Sequence, residues 1–355
     1  MNDCEINDIR GPNEFKGITF SNFKKIEAKK VLLNSLKEGK IEAALNWSAE
    51  YICCGAFIDL WDILLNFLGK HIHLGNPKLP IYINLRFNNF KEIIQNGYIG
   101  FEINMRNNSK IRKLFAEIIS IICLSSKKHA IESIKINKIV DFDMTNISSK
   151  FKAPDVSFGN NIFKKDDPKE LFVGINELMF HLSKQSLNSL EACYWMEWIL
   201  DFETLCKKKK QNCICERRSF VNVEEKFQKS CIWMIWDCFF YTQKNRHKCE
   251  IIEKILKSLF DLFCIKYTSG VNKKRKYLLY FAISLLTEKF NKNINIIANK
   301  ESINNIVSKI DLTYKLIKKN EISPQTDYLF NGLKKNSQEK TIEKLEILNK
   351  MNNFI

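Results

Sequence analysis

Glycine and proline are scarce in this sequence, at 12 and 6 of 355 residues, against usual shares of roughly 7% and 5%. A chain so poor in turn formers cannot supply the repeated tight turns of a hairpin-rich β protein. Nor does it contain a glycine-rich phosphate loop: G-x-x-x-x-G-K-[ST] and G-x-G-x-x-G are both missing, as are G-x-S-x-G and H-E-x-x-H. A self-sufficient ATPase, a Rossmann dehydrogenase and the common hydrolase signatures are thereby excluded, and no cofactor is expected. Histidine numbers 5, and the one close pair, His71 and His73, has no neighbouring cysteine or carboxylate, so packing at a helix end explains it better than metal. Apolar runs such as Cys231-Ile232-Trp233-Met234-Ile235-Trp236 fall far short of the roughly 18 residues a membrane span needs. The first residues lack an apolar stretch and include acids, unlike a secretory or transit segment.

What the chain does have is a folded protein's composition, 45% hydrophobic and 27% charged, with length for one large or two medium cores. Its 12 cysteines, without an export signal, are expected as thiols in a reducing compartment. Lys+Arg exceed Asp+Glu by 56 to 40, a net charge of +16. Such an excess makes a polyanion the default partner, and nucleic acid is the commonest one inside cells. The Lys-, Asn- and Ile-rich usage of an AT-rich genome accounts for the same excess without any partner, and composition alone does not separate the two.

Helical periodicity runs through most of the chain. Leu60, Trp61, Leu64, Leu65 and Leu68 repeat at i, i+1, i+4, i+5 and i+8, and similar stripes predict helices starting at residue 30 and near 41, and over 81–94, 111–123, 171–182, 190–205, 231–241, 251–265, 277–290 and 303–317. The fold class expected is all-α, a two-lobed helical bundle. It divides into an N-terminal arm (1–28), a first helical domain (29–134), a connecting segment (135–167), a second helical domain (168–320) and a tail (321–355) ending in a helix marked by Ile342, Leu345, Leu348 and Met351. The connecting segment has no clean 3.6 period and is read as irregular with room for one short strand. Asp166-Asp167-Pro168 reads as an Asp-capped helix start. Short likenesses between the halves, such as Leu60-Trp61-Asp62 with Ile235-Trp236-Asp237, suggest an ancient duplication.

The chemistry concentrates in basic clusters. Lys273-Lys274-Arg275-Lys276 precedes Tyr277 and Tyr280, so cations and an aromatic ring could meet one nucleic-acid strand. Lys207, Lys208, Lys209 and Lys210 are followed by Arg217 and Arg218, though Asp201 and Glu203 stand just before them and oppose their field. The first run is therefore the favoured contact site and is expected to be exposed. Cys206, Cys213 and Cys215 sit in a polar stretch, with Cys193 or Cys231 as a further thiol; they are weak zinc candidates, because the spacing is not that of a C-x2-C knuckle, and unliganded thiols are the preferred reading. The six tryptophans fall on apolar helix faces and are read as core. The acids Glu42, Glu50, Asp59, Asp62, Glu191, Glu197 and Asp237 are read as surface or capping residues.

Two resemblances attach to particular stretches. Lys70-His71-Ile72-His73-Leu74-Gly75-Asn76-Pro77-Lys78, the Cys206 to Arg218 segment, Phe263-Cys264-Ile265-Lys266-Tyr267-Thr268 and Thr326-Asp327-Tyr328-Leu329-Phe330 resemble a family of large nucleocytoplasmic DNA viruses, which implies a viral origin and brings no activity. Ala43-Ala44-Leu45-Asn46-Trp47 with Leu74-Gly75-Asn76-Pro77 is similar to the C-terminal helical domain of replication-associated recombination protein A, a clamp-loader-like AAA+ family. That likeness, over about an eighth of the chain, implies an oligomerisation collar; the missing ATPase motif removes the motor. Together these point to a non-enzymatic DNA-binding or adaptor protein of a viral replication or transcription assembly, in the host cytoplasm or viral factory. Partners would be DNA and replication or transcription proteins, with no membrane, and homo-oligomers are left open. The rival is a structural or genome-packaging protein of the virion, and an enzyme without a recognisable motif is a third.

Overall fold

The computed structural model describes residues 4–322 apart from 212, 247, 248 and 298. Helices carry them: α1 Lys25–Glu38, α2 Ile41–Cys53, α3 Phe57–Phe67, α4 Leu79–Gln95, α5 Ser109–Leu124, α6 Met144–Ile147, α7 Phe172–Leu182, α8 Ser189–Lys208, α9 Ile232–Arg246, α10 Glu250–Phe263, α11 Val271–Lys274, α12 Lys276–Thr287, α13 Lys300–Ser308 and α14 Ile310–Lys318. The β pairing among the described residues is one isolated bridge between Ile18 and Lys24, so the fold is all-α. Gly39 ends α1 at φ 70° and Gly55 follows α2 at φ 73°, left-handed positions where glycine escapes the Cβ penalty.

Three local expectations are corrected. The 135–167 segment contains no strand; its backbone is met by side chains instead, with Trp198 Nε1 donating to the Asp141 carbonyl at 2.6 Å and the Glu177 carboxylate accepting from the amides of Lys152 and Ala153. Asp167 does not cap α7. It turns inward to Arg218, and a 3-10 turn, Lys169–Leu171, leads into the helix. The helix expected over 303–317 is two helices, broken at Lys309 (φ −97°, ψ 4°). The terminal helix around Ile342, Leu345, Leu348 and Met351 lies outside the described residues.

The most buried element is α12, in which every residue from Tyr277 to Thr287 is buried. A helix apolar on all sides needs cover on all sides. It receives this from α8, α9 and α10 of the second half and from α3 with the π turn Leu68–Ile72 of the first. Further packing of α10 on α4, α13 on α5 and α14 on α2 carries the hydrophobic core through both halves of the chain. The N-terminal arm is held from below: Arg106 donates to the Asp8 carbonyl, Arg112 to the Cys4 carbonyl, and Ile9 to the carbonyl of Ile322.

The π turn and α12 touch through backbone. A Cβ on Gly69 would stand 2.7 Å from the carbonyl carbon of Tyr277, closer than real Cβ atoms come to backbone. Gly69→Ala is therefore expected to lower stability by about 3 kcal/mol, the upper part of the overpacking range, read as a lower urea midpoint with unchanged m value. Beside it, burial pulls the imidazoles of His71 and His73 down to about 4, helped for His71 by Lys37 and His129. The His73 ring lies 4.9 Å from that of Phe281 on α12. Because the unfolded chain takes up these protons near pH 6.5 and the folded chain does not, stability is full above that pH and falls towards pH 4, by up to about 3 kcal/mol per histidine. Urea titrations at pH 7 and pH 4.5 should show the loss, and His73→Gln should shrink it.

Candidate functional site

The two basic clusters fare differently once folded. In the first, Arg275 is 1% exposed. Its guanidinium donates to Asp62 Oδ1 from Nε and Nη2 at 2.9 and 2.7 Å, and to the carbonyls of Phe263 and Ile265 at 2.9 and 2.6 Å. It thus ties α3 to the carbonyl end of α10 while standing at the start of α12. Lys276 binds the Glu197 carboxylate of α8 at 2.9 Å and the Ser133 hydroxyl, and Lys274 reaches Asp62 at 3.4 Å. Tyr277 and Tyr280 are buried, the Tyr280 hydroxyl donating to Glu197 at 2.8 Å. The expected exposed cations with an aromatic platform are therefore corrected. The run closes the N-terminus of α12 onto two acids, and Lys273 alone of the four is exposed without an ion pair among the described residues.

In the second cluster Arg218 is also internal, 1% exposed. It grips Asp167 in a two-pronged pair, both bonds 2.6 Å, and adds Asp237 at 3.2 Å and the carbonyls of Ile162 and Glu216. Parallel N–H···O bonds of this kind fix orientation as well as charge. The residues around it stay outside. Lys208, Lys209, Lys210 and Arg217 are exposed and form no ion pair among the described residues; Lys207 pairs with Glu203 at 3.1 Å. The opposing acids are drawn away, since Glu203 is buried and Asp201 faces Lys138 at 3.6 Å. The Arg218–Asp167 pair also brings in Lys164, whose Nζ donates to the Arg217 carbonyl at 3.0 Å, with the exposed Lys165 following it. No spacing in the sequence pointed to that juxtaposition, because the linkage spans 51 residues through two buried side chains.

Four of the acids are corrected in the same way, while Glu42 and Asp59 are at the surface as expected. Asp62 and Asp237 serve buried arginines, Glu197 serves the half-buried Lys276, and Glu50, 3% exposed, accepts from the amide and hydroxyl of Ser21. The tryptophans are core as expected: Trp61, Trp195, Trp233 and Trp236 are fully buried and Trp198 nearly so, while Trp47 is half-buried against Phe23.

The weak zinc candidates do come together, and Cys231 is the thiol that joins them; Cys193 instead lies near Glu197. Cys213 Sγ is 3.5 Å and Cys215 Sγ 3.4 Å from Cys231 Sγ, and Cys215 Sγ is 3.2 Å from Met234 Sδ. Cys206, at the end of α8, lies near Cys213. The sulfurs follow one another in a row rather than surrounding a point, and among the described residues no group of three or more His, Cys, Asp or Glu is placed to hold a metal ion. The Cys213 thiol is shifted down by the hydrogen bond from Cys231, and burial pushes Cys206 up to about 11.

Removing one side of a buried ion pair leaves the other charge stranded. Arg275→Ser and Arg218→Ser are each expected to cost about 3–5 kcal/mol, whereas Lys273→Ser and Arg217→Ser should stay within about 0.5 kcal/mol; urea unfolding of the four variants separates internal from external cations. Among the described residues no helix is long and apolar enough to cross a membrane. No protein-family model, curated protein or solved structure matches this chain, so its family is not assigned by likeness.

Proposed function

We propose that this chain is a DNA-binding protein that acts without catalysis, holding backbone phosphates on the face formed by Lys208, Lys209, Lys210 and Arg217, with the exposed Lys165 alongside; Lys164 is spent on Glu216, 3.2 Å away. The observation that carries the reading is the contrast between clusters: Lys208, Lys209, Lys210 and Arg217 are exposed and free of ion pairs among the described residues, while three of the four cations in the 273–276 run, Lys274, Arg275 and Lys276, are tied to Asp62 and Glu197. Unpaired cations neutralise phosphate and release its counterions, whereas paired ones must first lose a carboxylate partner. The supporting segment is anchored at both ends, by the α8 helix and by Arg218 locked onto Asp167. Anchoring lowers the entropy lost when the lysines meet a polyanion. The net charge of +16 adds long-range attraction. Such binding reads charge rather than bases, which suits an adaptor of a replication or transcription assembly.

Fluorescence anisotropy with a labelled DNA duplex at low and moderate salt tests this. The parent should bind at low salt with a steep loss as salt rises. Replacing Lys208, Lys209, Lys210 and Arg217 by Ser should weaken binding and flatten the slope of log affinity against log salt by up to about 3.6 units, near 0.9 for each phosphate left without its cation. Lys273→Ser should alter that slope by less than about 1. Equal affinity and slope in the quadruple variant and the parent would remove the proposal.

A further inference from the structure

The row of sulfurs is independent of the basic face in its chemistry. We propose that Cys213 and Cys231 form a peroxide-sensitive dithiol, a modification site in which Cys213 is oxidised first and Cys231 resolves it as an intramolecular disulfide. The two sulfurs stand 3.5 Å apart and need approach by only about 1.5 Å to reach the S–S bond length of about 2.05 Å. Both ends lie on short, connected pieces of chain. Cys213 sits between the exposed Gln211 and Ile214, and Cys231 immediately precedes α9, whose first residue is Ile232.

Two features single out Cys213 as the sulfur attacked by the oxidant. It is the most exposed of the four, at 8%, against 6% for Cys206, 2% for Cys215 and none for Cys231. Its sulfur is hydrogen-bonded to that of Cys231 at 3.5 Å, and across this contact the Cys213 thiol is shifted down while that of Cys231 is shifted up. The charges facing the row are mixed, with Lys209 near Cys206 and the carboxylates of Glu170 and Glu203 opposing it. The thiolate is therefore stabilised chiefly by its sulfur neighbours. The Cys231 thiol is shifted up by its contacts with Cys213 and Cys215 and by burial, and it is sealed in the interior where no reagent arrives first.

The chemistry closes with peroxide as the oxidant. The Cys213 sulfur attacks one peroxide oxygen, the O–O bond breaks, and Cys213 sulfenic acid and one water are formed. The Cys231 sulfur then attacks the sulfenic sulfur, an S–S bond forms as the S–O bond breaks, and the hydroxyl leaves with the Cys231 proton as a second water. Two thiols have lost two electrons to one peroxide. The new bond crosslinks the segment after α8 to the start of α9. Elsewhere, Cys249 lies 3.5 Å from Lys292 Nζ and its thiol is shifted down, by amides at the start of α10 and by that lysine, against a larger opposing effect of burial. It is expected to react with peroxide as well, so the crosslink rather than reactivity is diagnostic.

The full chain treated with one equivalent of hydrogen peroxide, alkylated and digested with trypsin, should yield the 211–217 peptide joined to the peptide containing Cys231. The crosslink should persist in Cys215→Ser and drop at least tenfold in Cys213→Ser. In Cys231→Ser, dimedone should label Cys213. Since Cys231 is fully buried and that variant could fail to fold, the Cys213 and Cys215 variants decide the matter between them. A crosslink lost in Cys215→Ser but kept in Cys213→Ser, no crosslink in the parent, or one zinc per chain by elemental analysis that shields all four thiols until chelated would each overturn the proposal.

Discussion

Burial of α12 is the constraint on which the rest of the structure depends. A twelve-residue helix with no polar side, Lys276–Thr287, can only exist where other helices surround it, and no single half of the chain has enough of them. Its neighbours come from α3 and the π turn on one side and from α8, α9 and α10 on the other. Its N-terminus poses a second problem, because two cations, Arg275 and Lys276, stand where the helix dipole is already positive. Asp62 of α3 and Glu197 of α8 answer this, and through Asp62 the neutralisation of the helix start also joins the first half of the chain to the second.

The division of labour between arginine and lysine follows from the same physics. Only 8 of the 56 basic residues are arginine, and Arg10, Arg106, Arg112, Arg218 and Arg275 are buried. Of the others, Arg86 pairs with Glu117 and Arg246 donates to the carbonyls of Leu182 and Leu286, leaving Arg217 as the outward one. A planar guanidinium can satisfy several acceptors inside a protein, while a strongly hydrated ammonium favours the surface. In this lysine-rich chain the arginines are thus mostly internal ties, and the outer charge is carried mainly by lysine. This separates Arg275 from Lys273, while Arg217 and Arg218 are told apart only by the acid that folding brings to Arg218.

Periodicity made most helices legible, because stripes such as Leu60, Trp61, Leu64 and Leu65 are local consequences of 3.6 residues per turn. It failed where long-range contacts override local pattern. Lys309 interrupts one amphipathic stripe so that α13 can lie on α5 and α14 on α2. Asp167, placed well for a cap, is taken by an arginine 51 residues away. The candidate face was half legible: the lysines were visible as a run, but not their freedom from partners, nor the drawing aside of Asp201 and Glu203.

The sequence by itself determined that the protein is helical, strongly basic and without the common nucleotide-binding and hydrolase signatures, since these follow from composition, spacing and the presence or lack of short motifs. Tertiary structure alone decided which positive charges face outward and which sulfurs meet. Charge runs look alike along the chain, and whether a cation is a contact or a clasp depends on the acid that folding brings within about 3 Å of it. The four thiols, likewise, belong to the end of one helix, a connecting segment and the start of another, and only packing of α8 against α9 makes them neighbours.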